Sequence, residues 1–268
     1  SFIDGRMVRK RLTTMLFCFT ETTHLAIGPC LDNDNQVVNF INSRYIQWLL
    51  HRGGLLCHAA GVSRNGRGIG LAGFSGMGKS TLALRLMNDR RLDFLSNDRV
   101  MIHARAQSGV DAGRIIVEGV PKHPRINPGT ILYNAALGPI FDIEQRRHFA
   151  ALDMEDLWAL EHKFDGLIRT CFPGQRFLLR AELAGVVLLN WTREGGPVRP
   201  ARIDVDQRRD LLPALMKAPG VFYQPGADET VPEVQAYVDL LAGVPVLELA
   251  GGIDFDRGRH AAIELLGL

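Results

Sequence analysis

The sequence GFSGMGKS, residues 73–80, lies between a short apolar run and a segment with helical spacing. The run before it, residues 69–73, has the length and apolar character of a buried β-strand. The segment after it, residues 80–88, reads STLALRLMN, places Leu82 and Leu86 on one helical face and contains no Gly or Pro. The local order is therefore strand, loop, helix.

The loop satisfies the pattern G-x-x-x-x-G-K-[ST] at every fixed position, in the strand-to-helix context that phosphate binding requires. Glycines let consecutive backbone N–H groups face one point, and the helix N-terminus adds partial positive charge there. A turn that only connects a strand to a helix needs fewer glycines. We predict a P-loop whose nucleotide-binding residues are Gly73, Phe74, Ser75, Gly76, Met77, Gly78, Lys79, Ser80 and Thr81.

Within this loop, Lys79 would reach the β- and γ-phosphates as a mobile point charge, and the Ser80 hydroxyl would bind Mg²⁺. Thr81 could replace Ser80 only imperfectly. The motif does not by itself name a reaction, because ATPases, GTPases and small-molecule kinases share it.

Composition and charge exclude several other classes of protein. The chain has 268 residues, 46% of them hydrophobic and 22% charged, which is typical of a packed, water-soluble protein. A net charge of +2 gives no global field for nucleic acid or anionic membranes, and no apolar run is long enough to span a bilayer. Four widely spaced cysteines fit reduced thiols in a cytoplasmic protein.

The rest of the chain predicts an α/β fold. Helical spacing is present at residues 37–51, 154–162, 206–217, 231–241 and 257–266, and runs typical of strands at 55–62, 93–96, 99–103, 114–119, 186–191 and 246–249. The Asn65-Gly66 step predicts a hairpin between the runs at 55–62 and 69–73. We expect N-terminal strands and a lead-in helix over 1–52 and one compact unit over 53–268.

Two features beside the loop point to a reaction. His58, in LLCHAAGV, stands 15 residues ahead of Gly73, and Asn97 and Asp98, in FLSNDRVMI, follow Lys79 by 18 and 19 residues. A single histidine in an apolar strand is more often a core residue, and an aspartate in this setting can equally cap a turn or pair with Arg99. Their offsets from the P-loop favour function for both, because Mg²⁺ needs an acid at the end of the next strand.

Together, CHAAGV, GFSGMGKSTLAL and FLSNDRVMI resemble the catalytic core of HPr kinase/phosphorylase. Further segments are similar to the HPr-kinase-related branch called kinase B and extend the likeness over most of residues 37–268; they are VEGVPKHPRINPGTILYN, LLNW, MKAPGVFY and GGIDF. The resemblance implies a P-loop kinase core of the HPr kinase/phosphoenolpyruvate carboxykinase-like type, with ATP and Mg²⁺ as cofactors and a homo-oligomeric assembly.

The resemblance also assigns roles to single residues. In the parent family an aspartate of a paired-acid motif takes the proton from a serine hydroxyl and can run the step backwards as a phosphorylase. His58 matches the histidine beside that carboxylate, and Glu118 most nearly matches a glutamate on the metal side. Asp98 is the acid that remains here.

This chain departs from the family at the first acid, where it has Asn97. An amide cannot accept a proton, so either Asp98 has taken over that role or it holds Mg²⁺ and no strong base is used, which phosphoryl transfer permits. Reverse phosphorolysis is therefore not expected. Thr81 is a second departure, since the parent commonly has Glu there.

A basic segment, VPKHPRINPG, carries Lys122, His123 and Arg125 between prolines and could meet the γ-phosphate, although an ordinary solvated loop fits it equally well. Arg125 is the better candidate for a catalytic role, because a guanidinium binds phosphate in a bidentate manner. Nothing in the spacing selects the further cations Lys163, Arg169 and Arg176. No Cys/His pattern predicts zinc.

The first hypothesis is therefore an ATP- and Mg²⁺-dependent kinase that transfers the γ-phosphate to a hydroxyl, with serine as the expected type, on a protein, peptide or small molecule. Its catalytic residues would be Asp98, His58, Lys79 and Arg125, and its metal ligands Ser80, Asp98 and Glu118. The alternatives are a nucleotide-dependent binding module without transfer, and an ATPase or GTPase switch. The acceptor has no signature in the sequence, and the absence of an Asn-Lys-x-Asp segment favours ATP over GTP.

Overall fold

The structure is a computed structural model that describes residues 5–105, 113–160, 162–226 and 231–267. Its strands are β1 Gly5–Arg9, β2 Leu16–Thr20, β3 His24–Ile27, β4 Leu55–Cys57, β5 Ala59–Arg64, β6 Arg67–Gly73, β7 Asp93–Ser96, β8 Val100–Ala104, β9 Ile115–Gly119, β10 Arg125–Ile126, β11 Phe164–Asp165, β12 Arg180–Thr192, β13 Arg199–Ile203 and β14 Val246–Gly252. Its helices are α1 Asp34–Leu50, α2 Lys79–Leu86, α3 Pro128–Leu132, α4 Ile143–Ala150, α5 Met154–Ala159, α6 Ile168–Cys171, α7 Val234–Leu241 and α8 Phe255–Leu265, with 3-10 helices at Ala135–Ile140 and Arg209–Ala214.

In the described part of the chain, a mixed nine-stranded sheet forms the centre of an α/β fold. Strands β6, β12 and β14 run parallel at its middle, and the antiparallel strands β5 and β7 extend it beyond β6. Strand β9 pairs with the first residues of β12 and leads to β8 and β4. The carboxyl ends of the three parallel strands lie at one edge, where open α/β sheets bind their ligands.

The long strand β12 carries the core on both of its faces. Val187 and Leu189 are buried in a cluster that includes residues of α2 and α8, whereas Val186 and Leu188 are buried in a second cluster with α7 and the 3-10 helix Arg209–Ala214. This alternation follows from the two-residue period of a strand. It explains the nearly continuous apolar sequence that predicted a strand here, since a strand covered on both sides needs no polar face.

The predicted hairpin is confirmed between β5 and β6. Asn65 and Gly66 connect the two strands with φ angles of 50° and 81°, in the left-handed region that a type I′ turn requires.

The predicted strand at 55–62, however, is interrupted at His58. Before this residue β4 pairs with β8, and after it β5 pairs with β6 and β7. The His58 N–H leaves the ladder and donates to the Leu215 carbonyl at 2.6 Å.

Two predicted helices are shorter than their sequence patterns. The pattern at 206–217 forms only a 3-10 helix over Arg209–Ala214, which contains Pro213, and proline removes a backbone donor that a continuing α-helix needs. The pattern at 154–162 forms α5, which ends at Ala159, and residue 161 lies outside the described residues. The helices predicted at 231–241 and 257–266 are present as α7 and α8.

Helix α1 lies between the large sheet and a three-stranded antiparallel sheet formed by β1, β2 and β3. On the side of the small sheet, Phe40 packs against Phe17, Phe19 and Phe222. On the other side, residues of α1 are buried with residues of β4 and β8. We call α1 and the small sheet the N-terminal unit; the domain boundary at residue 52 stays a prediction.

Throughout the ranges that the structure describes, no helix reaches the combination of length and apolar character that crossing a bilayer requires.

Candidate functional site

The glycine-rich loop, residues 73–80, connects the carboxyl end of β6 to the start of α2. Gly76 and Gly78 have φ angles of 82° and 83°, which side chains with a Cβ rarely adopt. Gly78 also lies against Phe255, since a Cβ built on it would come within 2.8 Å of that ring. The glycines at these two positions therefore serve the curled backbone that the motif predicts.

A buried tryptophan fixes the middle of this loop. Trp191, near the end of β12, is completely buried, and its indole Nε1 donates to the Met77 carbonyl at 2.9 Å. Its ring also contacts Phe255, with 5.2 Å between the ring centroids. Trp191 thus fixes the loop on its buried side, while the side chains of Phe74 and Ser75 at its tip are exposed. The first N–H groups of α2 have no carbonyl partner within the helix.

Lys79 folds back over its own loop and is buried. Its Nζ donates to the carbonyl of Gly73 at 2.7 Å and to that of Phe74 at 3.1 Å. Burial lowers the pKa of Lys79 to about 8; the charge of Asp98 opposes this shift, and that of Lys217 adds to it. The ammonium group is therefore placed at the glycine-rich loop and within electrostatic reach of Asp98.

Asp98 stands in the turn between β7 and β8 and meets three cationic or ionisable groups. His58 Nε2 lies 3.2 Å from Oδ1, while Arg99 Nε and Lys217 Nζ each lie 3.4 Å from Oδ2. Burial alone would raise the pKa of Asp98, but the hydrogen bond from His58 and the charges of Lys217 and Arg99 hold it well below its usual range. The structure thus brings together His58 and Asp98, which sequence alone could pair only by resemblance.

The interruption between β4 and β5 explains how His58 reaches Asp98. The segment after the 3-10 helix Arg209–Ala214 pairs with this point of the sheet, because Cys57 and Met216 form a bridge and the Lys217 N–H donates to the Leu56 carbonyl at 3.2 Å. His58 and Lys217 consequently approach Asp98 from adjacent segments.

A cavity of about 260 Å³ opens beside this group. It is lined by residues from α1, from the start of α2, from the turn after β7 and from the basic segment; they are Asn39, Asn42, Ser80, Ser96, Asn97, Asp98, Arg99, Val120, Lys122, His123, Arg125 and Lys163. Among the described residues of this lining, Asp98 is the acidic one, against two lysines and two arginines. Such a lining favours an anionic ligand.

The predicted site residues are not all at the cavity. Ser80, Asp98, Arg125 and Lys163 line it. Lys79 instead contacts the glycine-rich loop, and His58 contacts Asp98. Arg125 is half exposed and its Nε lies 3.8 Å from the Asp165 carboxylate. The Thr81 hydroxyl hydrogen-bonds that of Thr130 at 2.9 Å, and Arg176 pairs with Asp93 at 2.7 Å.

Glu118 lies in a different environment from the one that a metal ligand requires. Its carboxylate accepts a short hydrogen bond from Tyr45, lies 3.0 Å from His103 Nε2 and forms an ion pair with Arg180 at 3.2 Å. Burial and this hydrogen bond raise the pKa of Tyr45. Glu118 is not among the residues that line the cavity. A metal-binding role for it stays a prediction and would require these contacts to break.

Ser80, Asn97 and Asp98 supply the oxygens that fit Mg²⁺. All three line the cavity, and hydroxyl, amide and carboxylate oxygens are the ligands this cation prefers. Asn97 Oδ1 is buried and has no hydrogen-bond partner among the described residues. Over the same ranges, no group of three or more His, Cys, Asp or Glu side chains could hold a metal ion by itself. The oxygens therefore suit a cation that also binds phosphate.

Sequence reasoning missed three contributors to this site. Asn39 and Asn42 reach the cavity from α1, which the sequence presented only as a lead-in helix. Lys217 contacts Asp98 from MKAPGVFY, a segment that resemblance singled out without a role for this lysine. Neither spacing nor residue type marks them, because each reaches the site through long-range packing. Asn42, Ser43 and Gln47 lie on the buried face of α1, and this pattern of polar residues could have indicated that the helix contributes to a site.

Comparisons with known proteins add little to this geometry. The chain matches no protein-family model and no curated protein. One solved structure to which it is similar is an HPr(Ser) kinase/phosphatase from Coxiella burnetii, with 12% sequence identity and a TM-score of 0.35, over 79% of this chain and 87% of that one. At this level the similarity establishes no family membership and no activity.

Proposed function

We propose that this protein is an ATP- and Mg²⁺-dependent phosphotransferase that transfers the γ-phosphate to a hydroxyl group, with serine as the expected type of acceptor. The observation that carries the proposal is the cavity, in which Ser80 of the glycine-rich loop and Asp98 share one space with several cations. A transferring phosphoryl group needs this combination of positioning and positive charge more than it needs covalent chemistry from the protein.

Each residue has a physical task in this proposal. The backbone of the glycine-rich loop and Lys79 would bind the phosphates, and Arg125 would stabilise the charge that spreads over the transferring group. Ser80 and Asp98 would hold Mg²⁺, which supplies charge neutralisation at the phosphates when it is bound. His58 would orient the Asp98 carboxylate through the hydrogen bond described above.

One observation favours a second candidate, a module that binds nucleotide and a partner without transfer. The amide of Asn97 stands where the HPr kinase pattern has its proton acceptor, and the neighbouring Asp98 is engaged by His58, Arg99 and Lys217. A carboxylate in such surroundings is a weak base. The kinase remains our first candidate, since a loose transition state requires little help from a base.

The test is calorimetry with Mg²⁺ and ATP or GTP, followed by γ-labelled ATP in a cell extract read by mass spectrometry. Label on an acceptor supports the kinase, stoichiometric intact ATP supports the module, and free phosphate alone supports a nucleotide-hydrolysing switch. We expect Lys79→Met to lower the transfer rate by about 10²–10³-fold, because it removes a charge that acts on the transferring phosphates.

The matched control is Lys10→Met, which removes the same charge in the N-terminal unit, where Lys10 Nζ lies over the Phe222 ring. It should leave nucleotide binding and transfer unchanged. The proposal is wrong if neither ATP nor GTP binds in the presence of Mg²⁺, or if Lys79→Met transfers phosphate as fast as the unmodified protein.

A further inference from the structure

The cations around Asp98 fall into two groups. Lys79 and Lys217 form the near group: Lys79 donates to carbonyl groups of the glycine-rich loop, and Lys217 contacts Asp98. Arg99, Lys122 and Arg125 form the far group: burial lowers the pKa of Lys122, and the positive charges of Arg99 and Arg125 lower it further. Asp98 contacts one member of each group, since Lys217 Nζ and Arg99 Nε each lie 3.4 Å from its Oδ2. Asp98 thus stands between the two groups.

Within the far group, Arg99 is paired with Asp98, whereas Lys122 and Arg125 are less closely neutralised, although the charges of Asp98 and Asp165 act on Lys122. Lys122 Nζ donates to the amide oxygen of Asn39 at 3.0 Å, and no carboxylate lies within 4.0 Å of it in the part of the chain that the structure describes. Arg125 has only the long ion pair with Asp165 at 3.8 Å, in which both side chains are more than half exposed. Partly buried like charges repel one another, so an anion between them would be stabilised.

The shape of the cavity limits what that anion can belong to. Asn39 and Asn42 of α1 form part of the lining, and the Asn42 amide is fixed by a hydrogen bond to the Pro121 carbonyl at 2.9 Å. A volume of about 260 Å³ is below the usual range for drug-sized ligands. A terminal phosphate and a compound of a few heavy atoms are of the size that fits this space.

Building on the proposed function, we propose that the phosphate acceptor is a small hydroxyl compound with a carboxylate or phosphate group, and that this anionic group binds to Lys122 and Arg125. The Asn39 amide positions Lys122 for this contact. The nucleotide phosphates would occupy the near side, and the acceptor anion the far side, which places the acceptor hydroxyl beside Asp98.

The transfer step balances in this arrangement. The acceptor hydroxyl oxygen forms a bond to the γ-phosphorus while the bond between that phosphorus and the β–γ bridging oxygen breaks. ADP leaves with the bonding electron pair, and the hydroxyl proton is released to water. No oxidant or reductant is needed.

The first measurement asks whether the far group binds an anion while the nucleotide site is filled. The protein is saturated with Mg²⁺ and a non-hydrolysable ATP analogue and titrated with inorganic phosphate in a calorimeter. We expect phosphate to bind, and Asn39→Asp to weaken it at least about tenfold, because a carboxylate at this position would neutralise Lys122 and repel the anion. Lys122→Gln should cause the same loss by removing the charge itself.

The matched control is Asn35→Asp, one turn earlier on α1, where the side chain is exposed. It changes the net charge by the same amount and should leave phosphate binding intact. If phosphate does not bind to the analogue-saturated protein, or if Asn35→Asp weakens it as much as Asn39→Asp, the far group is not an anion site and the inference is overturned.

The second measurement compares acceptors that differ in the anionic group alone. Glycerate is tested against glycerol, and L-serine against L-serinamide, with γ-labelled ATP. We expect the member of at least one pair that carries the carboxylate to accept phosphate more than about tenfold faster than the member that lacks it, and Asn39→Asp to remove this preference. Equal rates within every pair, transfer to seryl peptides alone, or no transfer to any of these compounds would overturn the inference.

The failure of this inference can be told from failure of the proposed function. If the ATP analogue binds and a peptide or protein is labelled, the kinase stands and the small anionic acceptor does not. If neither ATP nor GTP binds with Mg²⁺, the proposed function itself fails.

Discussion

Lys79 of the near group and Lys122 of the far group are held in different ways. We call the surroundings of the near group the near side, and those of the far group the far side. Lys79, on the near side, is bound by carbonyl groups five and six residues away in its own loop. Lys122, on the far side, is bound by Asn39, which is 83 residues away and belongs to the N-terminal unit. The surroundings of Lys79 are therefore built from one contiguous segment, whereas those of Lys122 depend on the docking of α1.

This difference separates binding of the nucleotide from binding of a second ligand. Damage to the N-terminal unit should remove the far side and spare the near side, and damage to the glycine-rich loop should do the reverse. The core also fixes the glycine-rich loop, since the completely buried Trp191 donates a hydrogen bond to the Met77 carbonyl. The far side depends on the packing of a helix, which is more easily loosened.

The largest effect is expected from Phe40→Ala, which removes the centre of the aromatic cluster between α1 and the small sheet. Phe40 is buried and its ring lies 4.9 Å from that of Phe17 and 5.2 Å from that of Phe222. Loss of a buried phenylalanine costs about 3–5 kcal/mol of unfolding free energy. Denaturant unfolding measures this loss, and calorimetry should find phosphate binding on the far side abolished with the affinity for the ATP analogue within about twofold.

Phe40→Leu is the control, because it keeps most of the buried volume and should cost about 1 kcal/mol. Equal loss of nucleotide and phosphate binding in Phe40→Ala would contradict the independence of the two sides.

A smaller effect is expected from alanine at Gly78, which breaks the near side. Both Gly76 and Gly78 have positive φ angles, but a Cβ at Gly78 would meet the Phe255 ring at 2.8 Å, whereas at Gly76 it would meet nothing within 4 Å. Backbone strain alone costs about 1–2 kcal/mol, so Gly76→Ala should lose about that much. Gly78→Ala should lose about 2–3 kcal/mol, because overpacking adds to the strain.

Denaturant unfolding of the two variants provides the comparison, with calorimetry of the ATP analogue as the second measurement. Nucleotide affinity should fall more in Gly78→Ala than in Gly76→Ala. In the fraction of either variant that holds nucleotide, the far side should still bind inorganic phosphate. Equal losses of stability at the two positions would show that Phe255 does not limit the loop.

The glycine-rich loop of the near side could be predicted from the sequence because its determinants are adjacent residues, whereas the approach of Lys217 could not. The glycines at the positive-φ positions, the strand before them and the helix after them are one continuous segment, and the hairpin turn at Asn65-Gly66 is equally local. The proximity of His58 and Asp98 came from resemblance, not from spacing. It depends on the break between β4 and β5, which the apolar run across residues 55–62 does not reveal.

The far side could not be predicted, because nothing in the sequence links its parts. Asn39 is an ordinary polar residue of a helix, and it contributes to the far side through the hydrogen bond that it accepts from Lys122 in the folded chain. Glu118 illustrates the opposite case: resemblance marks it as a metal ligand, while in the fold Tyr45, His103 and Arg180 engage its carboxylate. Pairings between strands and helices that are distant in sequence decide which of these contacts form.

The smallest effect is expected at Asp89, which follows α2 and tests how far the near side depends on support from outside the loop. Arg91 binds its carboxylate through Nε at 2.9 Å and Nη2 at 2.6 Å. This hydrogen bonding lowers the pKa of Asp89 to about 2, against the opposing effect of burial and with help from the charges of Arg91 and Arg259.

Because the pKa of Asp89 is lower in the folded chain than in the unfolded one, the carboxylate stabilises the fold at pH values above about 4, and this contribution is lost as the pH falls from about 4 to about 2. Asp89→Asn should therefore lower the unfolding free energy by about 1–2 kcal/mol at pH 7, a figure reduced by the exposure of Arg91, and the difference from the unmodified protein should shrink at acid pH. Unfolding measured from pH 7 to pH 2 tests this, with the exposed Asp239→Asn as a control that removes a carboxylate and leaves the pair of Asp89 and Arg91 in place. If nucleotide affinity at pH 7 falls together with stability in Asp89→Asn, the near side needs this ion pair; if it does not fall, the glycine-rich loop and Trp191 suffice to shape it. A difference that grows as the pH falls would mean that the carboxylate destabilises the fold, contrary to its contacts with Arg91.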